Sequence, residues 1–247
     1  MPERPAYSFY RGIWKFLDLL FPPACAGCDT QGTLWCTSCQ ESVYRLIGPV
    51  CKSCGVPLDA GEIENCQDCL NHPPYYKELR SYAYFEGPIR NAIHKLKYRG
   101  EISLGCLLAE RLIDCYRDWD WQVDLIVPVP LGVARLSERG YNQAALLARP
   151  LALYLGIPFR KDGLIRLRET SSQVGLSYGQ RFENVRDAFW ARDEIVAGRK
   201  VLIVDDVATS SATINYCAKA IQDSGGLAVY GLTVARAGIH QHVSDQV

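Results

Sequence analysis

Apolar residues fall into three rhythms along the chain, and each predicts a different kind of structure. Between residues 6 and 21, Phe9, Ile13, Phe16, Leu17 and Leu20 recur at helical spacing with Trp14 beside them, until Pro22-Pro23 ends the run. This predicts an amphipathic helix within segment 1–21. Its charges are balanced (Arg11, Lys15, Asp18) and give little pull towards anionic lipid, so its apolar face is expected to dock on the protein's own core. Residues 22–76 show no regular rhythm. From residue 77 onward, strand-like and helix-like stretches alternate. Tyr82 and Tyr84 mark a strand, and Ile89, Ile93 and Leu96 mark a helix. Val123–Val129 is a second strand, followed by a helix that runs to Leu155 and stops at Gly156. Val201–Val204 is a short apolar run before a turn, the pattern of a parallel strand buried on both faces. Ile214, Cys217, Ala218 and Ile221 then return to helical spacing, Gly225-Gly226 stops them, and Leu227–Ala235 is a last strand. Strands alternating with helices predict an α/β fold over 77–247, a parallel sheet with helices on both faces.

Composition fits that division. A chain of 247 residues has room for one α/β domain and a small unit, at roughly 100–200 residues per domain. With 48% hydrophobic and 22% charged residues it is ordinary globular material. No apolar run reaches the roughly 18 residues needed to cross a bilayer, so no stable membrane insertion is expected. The start lacks the pattern of a signal peptide, which places the expectation in the cytoplasm.

The eleven cysteines sharpen the picture of the small unit. Eight lie in four C-x-x-C pairs: Cys25, Cys28, Cys36 and Cys39 form one set, and Cys51, Cys54, Cys66 and Cys69 a second. Each pair is a knuckle whose thiolates can converge on one ion. Four sulfurs leave no open coordination position, so two structural zinc ions are expected. Sequential pairing of the knuckles is favoured over an interleaved one, which spacing alone leaves open. Redox chemistry is the competing reading, and thioredoxin-like sites do not come four in a row. Zinc would replace the core that so short a segment cannot build, making 22–76 a separate unit. That segment holds two bases and six acids, so the formally neutral chain keeps its positive balance elsewhere. Two zinc–thiolate centres would add negative charge, the wrong sign for nucleic-acid phosphates.

Candidate chemistry gathers where strands are expected to end. In VLIVDDVATSSAT, Asp205 and Asp206 follow an apolar strand, and Thr209, Ser210, Ser211, Ala212 and Thr213 lead into a helix whose positive end can take a phosphate. Carboxylates beside a phosphate loop are reconciled by a ribose phosphate: the acids accept bonds from ribose hydroxyls, and the loop holds the 5-phosphate. Ser211 stands where Gly would most readily allow a positive φ. Gly132 to Gly140, with Arg135 and Arg139, forms a second loop after a strand and suits a pyrophosphate. Lys95, Lys97 and Arg99, at the end of the first helix after residue 77, are candidates for pyrophosphate or polynucleotide contact, with Tyr82, Tyr84 and Tyr98 nearby to stack bases. The alternative for each basic run is a solvated surface. Arg168–Phe189, rich in Ser, Gly and Gln, reads as a mobile loop able to close over a ligand, and the tail from His240 as frayed.

The acid-and-loop stretch resembles the phosphoribosyl pyrophosphate signature of type I phosphoribosyltransferases. Together with FPPACAGC, HKLKYRGE, VPVPLGVARLSERGYNQA and SSQVGLSYGQRFENV, it makes nearly the whole chain similar to the ComF/GntX family. The resemblance implies a double zinc ribbon before a phosphoribosyltransferase-like domain. It also implies a role in natural transformation, assisting imported single-stranded DNA, with competence helicase or recombination proteins as partners. Two readings follow. One is an accessory protein that binds phosphoribosyl pyrophosphate or a nucleotide as a ligand. The other is a transferase using Mg²⁺ with phosphoribosyl pyrophosphate on a nitrogenous base.

Overall fold

The computed structural model describes residues 4–20, 22–58, 64–168 and 184–237. Most of Arg168–Phe189 and the tail from His240 lie outside the described residues. Helix α1 (Pro5–Leu20) opens the chain, and the short α2 (Thr37–Glu41) and α3 (Gln67–Asn71) belong to the cysteine-rich segment. There follow β1 (Glu78–Tyr84), α4 (Gly87–Tyr98), α5 (Leu104–Arg117), β2 (Leu125–Pro128), α6 (Val133–Arg139) and α7 (Gln143–Leu155). The chain continues with β3 (Leu164–Arg166), β4 (Phe189–Ala191), α8 (Asp193–Val196), β5 (Lys200–Ala208), α9 (Ala212–Asp223) and β6 (Ala228–Arg236).

Four strands form a parallel sheet in the order β1-β6-β5-β2. Period-two geometry sends successive residues of an all-apolar strand to opposite faces, so one run feeds two core layers. Leu202 and Val204 of β5 join Ile126, Leu232 and Val234 under α4, α5 and α7. Val201 and Ile203 join Leu125, Val127 and Val229 under α9. The expected α/β architecture with helices on both faces is therefore present. The antiparallel pair β3-β4 lies outside the rhythm read from the sequence, because three-residue strands are too short to show a period.

Among the described residues, the cysteine-rich segment has no core of its own, as expected for so short a segment. Its apolar residues serve the larger domain. Ala26, Leu34, Trp35 and Val43 pack into the α4/α5 layer, and Cys51, Cys54, Val56 and Leu58 into the α9 layer. The physical reason is the sheet edge. β1 is an outer strand whose free side would expose unpaired backbone groups, a liability for self-association. The segment covers it: Leu79 N–H donates to Ser53 O, Leu46 N–H to Tyr82 O and Tyr84 N–H to Tyr44 O.

Helix α1 corrects an expectation. Phe9 is 74%, Phe16 61% and Leu20 58% exposed, so the apolar face read from the sequence points outward. Docking instead uses Tyr7, buried edge-on against Tyr154 at 5.2 Å, and the Arg11–Glu110 ion pair. Among the described residues no helix is long and apolar enough to cross a membrane.

Candidate functional site

Two cysteine clusters that could hold a metal and one candidate ligand edge emerge from this framework. The thiols cluster as two sequential sets, Cys25/Cys28/Cys36/Cys39 (site I) and Cys51/Cys54/Cys66/Cys69 (site II), with all sulfurs of a set within 4.8 Å of one another. The Cys28–Cys36 and Cys54–Cys66 sulfurs stand 3.6 and 3.7 Å apart. A tetrahedral ion with bonds of about 2.3 Å requires a separation of about 3.8 Å, so the donor set fits structural zinc. Backbone N–H groups of Cys36, Cys39 and Cys54 donate to the sulfurs of Cys25, Cys36 and Cys51, each at 3.4 Å, and help carry thiolate charge. Crowded thiols without a cation cannot all ionise. The Cys54 thiol is held down at about 5, first by its hydrogen bond with Cys69, against the cost of burial and with help from Arg236. Burial pushes Cys66 up to about 12. A divalent cation removes that conflict.

The carboxyl ends of the parallel strands make the ligand edge. β5 runs further than its apolar core, and Asp205 and Asp206 lie inside it rather than just beyond it, buried at 9% and 3% exposure. Lys97, near the end of α4, forms an ion pair with Asp206 Oδ2. Gln143, in the first turn of α7, donates to Asp206 Oδ1 at 3.1 Å and accepts from Arg139 at 2.5 Å. Arg139 in turn lies over the Tyr98 ring, 5.4 Å from its centre. One chain of contacts thus links an exposed aromatic ring to a buried carboxylate.

Charge at this edge is set by burial and pairing. Burial, then repulsion from Asp206, holds Asp205 well above the usual carboxylate range. Burial opposes the Asp206 charge too, yet the Lys97 ammonium and bonds from Lys97, Asp205 and Gln143 keep it below that range. Burial likewise opposes the charge on Lys97, and attraction to Asp206 overrides it, raising Lys97 above its ordinary value. Burial thus pushes Asp205 towards its protonated form, while pairing with Lys97 holds Asp206 towards its charged form.

Beyond β5, Thr209 and Ser210 turn the chain, and Ser211 caps α9 at φ +61°, the left-handed conformation expected at a position suited to Gly. Ala212 and Thr213, read from sequence as loop, form the first turn of α9. The second loop holds Arg135 and Arg139 within α6, closed by Gly140 at φ +79°. It is tied to α4 by a bond from the Tyr141 hydroxyl to Leu96 O, and to β2 by one from Asn142 to Val129 O.

Not every candidate faces this edge. Lys95 turns away: it is 5% exposed and donates to Cys25 O at 2.9 Å and Asp29 at 2.6 Å, anchoring site I to α4. Residues two apart on a helix do not share a face, so only one of Lys95 and Lys97 can reach the acids. Arg99 is exposed beyond α4. Tyr82 is buried beneath Arg45 and Tyr84 is half-buried, whereas Tyr98 is 67% exposed. Two residues went unnoticed in the sequence. Gln143, two residues beyond Tyr141 in GYNQA, is a polar residue opening an otherwise apolar helix. Arg236 ends the last apolar strand.

Comparison with known proteins follows the same division. Residues 16–70 match the double zinc ribbon domain. The DNA utilization protein YhgH of Salmonella typhimurium is 34% identical over 200 residues, covering 78% of this chain and 86% of that one. Competence protein F of Haemophilus influenzae is 31% identical over 210 residues, covering 81% and 90%. Competence protein ComFC of Bacillus subtilis is 25% identical over 250 residues, covering 92% and 97%. A solved glutamine phosphoribosylpyrophosphate amidotransferase from B. subtilis is more remote, at 22% identity over 58% of this chain and 27% of that one, with a TM-score of 0.36. Identity above 30% across more than three quarters of the sequence, with both cysteine clusters formed, shows that the chain belongs to the ComF family of competence-associated proteins.

Proposed function

We propose that the chain binds phosphoribosyl pyrophosphate or a related ribose phosphate at the β5 edge and assists the handling of single-stranded DNA during natural transformation, in the cytoplasm. The observation that carries this reading is one sheet edge where a buried acid pair, a phosphate-suited loop and basic side chains meet. Asp206 accepts from a ribose hydroxyl, and the Thr209–Thr213 segment receives the 5-phosphate at the positive end of α9. Pyrophosphate lies towards Arg135 and Arg139. Its arrival offers Lys97 a second anion, so the lysine moves part of its pairing from Asp206 to the ligand. Mg²⁺ would accompany the pyrophosphate and offset its charge. Relatives named for competence and for DNA utilization support the DNA role. Tyr98, exposed and lying against Arg139 and His94, is the surface that suits a single strand, where a base stacks and a phosphate meets a guanidinium.

Calorimetric titration of the zinc-loaded chain tests this. Phosphoribosyl pyrophosphate with Mg²⁺ and ribose 5-phosphate are expected to bind. Asp205→Asn combined with Asp206→Asn weakens the ribose ligands about ten-fold or more, while pyrophosphate alone loses little. Equal affinity of the double variant and the parent for phosphoribosyl pyrophosphate, with the fold intact by circular dichroism, would end the reading. For DNA, Tyr98→Ala and Arg139→Gln weaken binding, and the arginine change flattens its dependence on salt.

A further inference from the structure

We infer that Arg236 is a positioning residue through which zinc site II sets the geometry of the phosphate loop; this rests on the reading of Thr209–Thr213 as the 5-phosphate cradle. Arg236 ends β6 and pairs in register with Ala208, the residue before the loop. It is 4% exposed. Its Nη2 donates both to the carbonyl of Cys54, a site II ligand, and to the Ser211 hydroxyl at 3.3 Å. One guanidinium nitrogen thus touches a site II cysteine and the strained residue of the loop.

Strain and charge explain why such a bridge is needed. A non-glycine residue in the left-handed region is sterically strained and persists only where surrounding contacts fix it. Ser211 is 7% exposed, and its hydroxyl accepts from Arg236. Arg236 itself is a buried cation, and its Nε has no hydrogen-bond partner among the described residues. Its hydrogen-bond acceptors there are neutral oxygens, so its counter-charge must come from elsewhere. Four thiolates around a divalent ion carry about −2, and Cys54, whose carbonyl accepts from Arg236, is one of the four ligands. With site II loaded, Arg236 is balanced on the metal side and held against the loop. With site II empty, nothing fixes the Cys54 carbonyl that anchors Arg236, and Ser211 loses its brace. Among the described residues, the side-chain bonds from site I to the domain run to α4 through Lys95 and Asn91 and to α5 through Arg111 and Gln40, away from the loop.

The test uses the full chain with zinc counted by metal analysis and ribose 5-phosphate affinity measured by calorimetry. Arg236→Gln is expected to retain two zinc ions and weaken ribose 5-phosphate about ten-fold. Inorganic pyrophosphate, which does not use this loop, should change by less than about two-fold, a selectivity that general loosening of the fold would not give. Arg236→Lys, which keeps the charge and one donor, recovers part of the loss. Cys69→Ser loses one zinc and shows the same selective loss. The double variant binds no more weakly than either single one, because both act through one bridge. Unchanged ribose 5-phosphate affinity in Arg236→Gln overturns the inference, as do losses that multiply in the double variant. If Cys69→Ser does not fold, Arg236→Gln and Arg236→Lys still decide. A parent chain that binds no ribose 5-phosphate at all overturns the loop reading itself, and the inference with it.

Discussion

The two zinc sites have the same ligands and the same knuckle spacing, yet they are attached to the domain differently. Site I sits on a helix. Gly27 lies so close to α4 that a Cβ there would fall 2.8 Å from Pro88, while Asn91 donates to Gly27 O and Lys95 to Cys25 O. Site II sits on the sheet. A Cβ on Gly55 would fall 2.3 Å from the Leu79 carbonyl oxygen, and Arg80 donates to Lys52 O. Site I therefore props the helix that delivers Lys97 to Asp206, and site II props the strand edge and the loop beside Ser211. Matching metal centres need not be redundant. Each fixes whatever it is packed against.

The strongest way to break this comparison is to remove one ligand from each site. Cys54 is buried in the α9 layer, so Cys54→Ser should cost more than about 4 kcal/mol, the range of metal loss in a core. Cys28 is exposed at the rim of site I, and Cys28→Ser should cost clearly less. Chemical denaturation that found the two equal would mean the sites support the fold alike. Next in size are the two lysines. Lys97→Met leaves the Asp206 carboxylate buried without its cation, a loss of about 3–5 kcal/mol. Lys95→Met should be milder in stability and should show itself as easier removal of the site I zinc by chelator. The reverse ranking would place the important pairing at the metal centre rather than at the acids.

The acid pair between these regions gives a pH test. The raised Asp205 holds its proton more tightly in the folded than in the unfolded chain, so its contribution is full below about 3.9, the unfolded value, and is lost as pH rises towards the folded one. The depressed Asp206 acts in the opposite sense: its contribution is present above about 3.9 and is lost as pH falls through its folded value. Asp205→Asn should therefore raise the melting temperature near neutral pH and flatten its decline with rising pH, while still weakening ribose binding. A melting temperature that stayed level or fell at neutral pH would count against the upward shift of Asp205. The smallest effect concerns Ser211. Ser211→Gly relieves a left-handed residue worth about 1 kcal/mol but deletes the Arg236 contact, so stability should change little. Ribose 5-phosphate affinity in this variant should lose its sensitivity to site II zinc.

Legibility in the sequence followed how local the determining physics was. Val201–Val204 announced a doubly buried strand because no polar residue interrupts it, and the layers on its two faces bear that out. The zinc ligands were readable because each knuckle is four residues long. Ser211 was readable because φ is a property of one residue. Lys95 and Lys97 were not separable by type, since which helix face meets the acids depends on where the cysteine-rich segment lands. Arg236 was missed for the same reason: Cys54 is 182 positions away in the chain. The outward face of α1 was misread because amphipathicity says that a face is apolar, not what lies opposite it.

The strand order carries a consequence for synthesis. β6, the last strand among the described residues, lies between β1 and β5, so β1 has no strand partner in this sheet until β6 is made. At about 5–20 residues per second, the interval between finishing β1 and starting β6 is roughly 7–30 s. During that time the cysteine knuckles, already outside the ribosome, can take up metal and lie along the free side of β1. The zinc-bearing segment then acts as a built-in escort, shielding one side of a lone strand until the other side is filled.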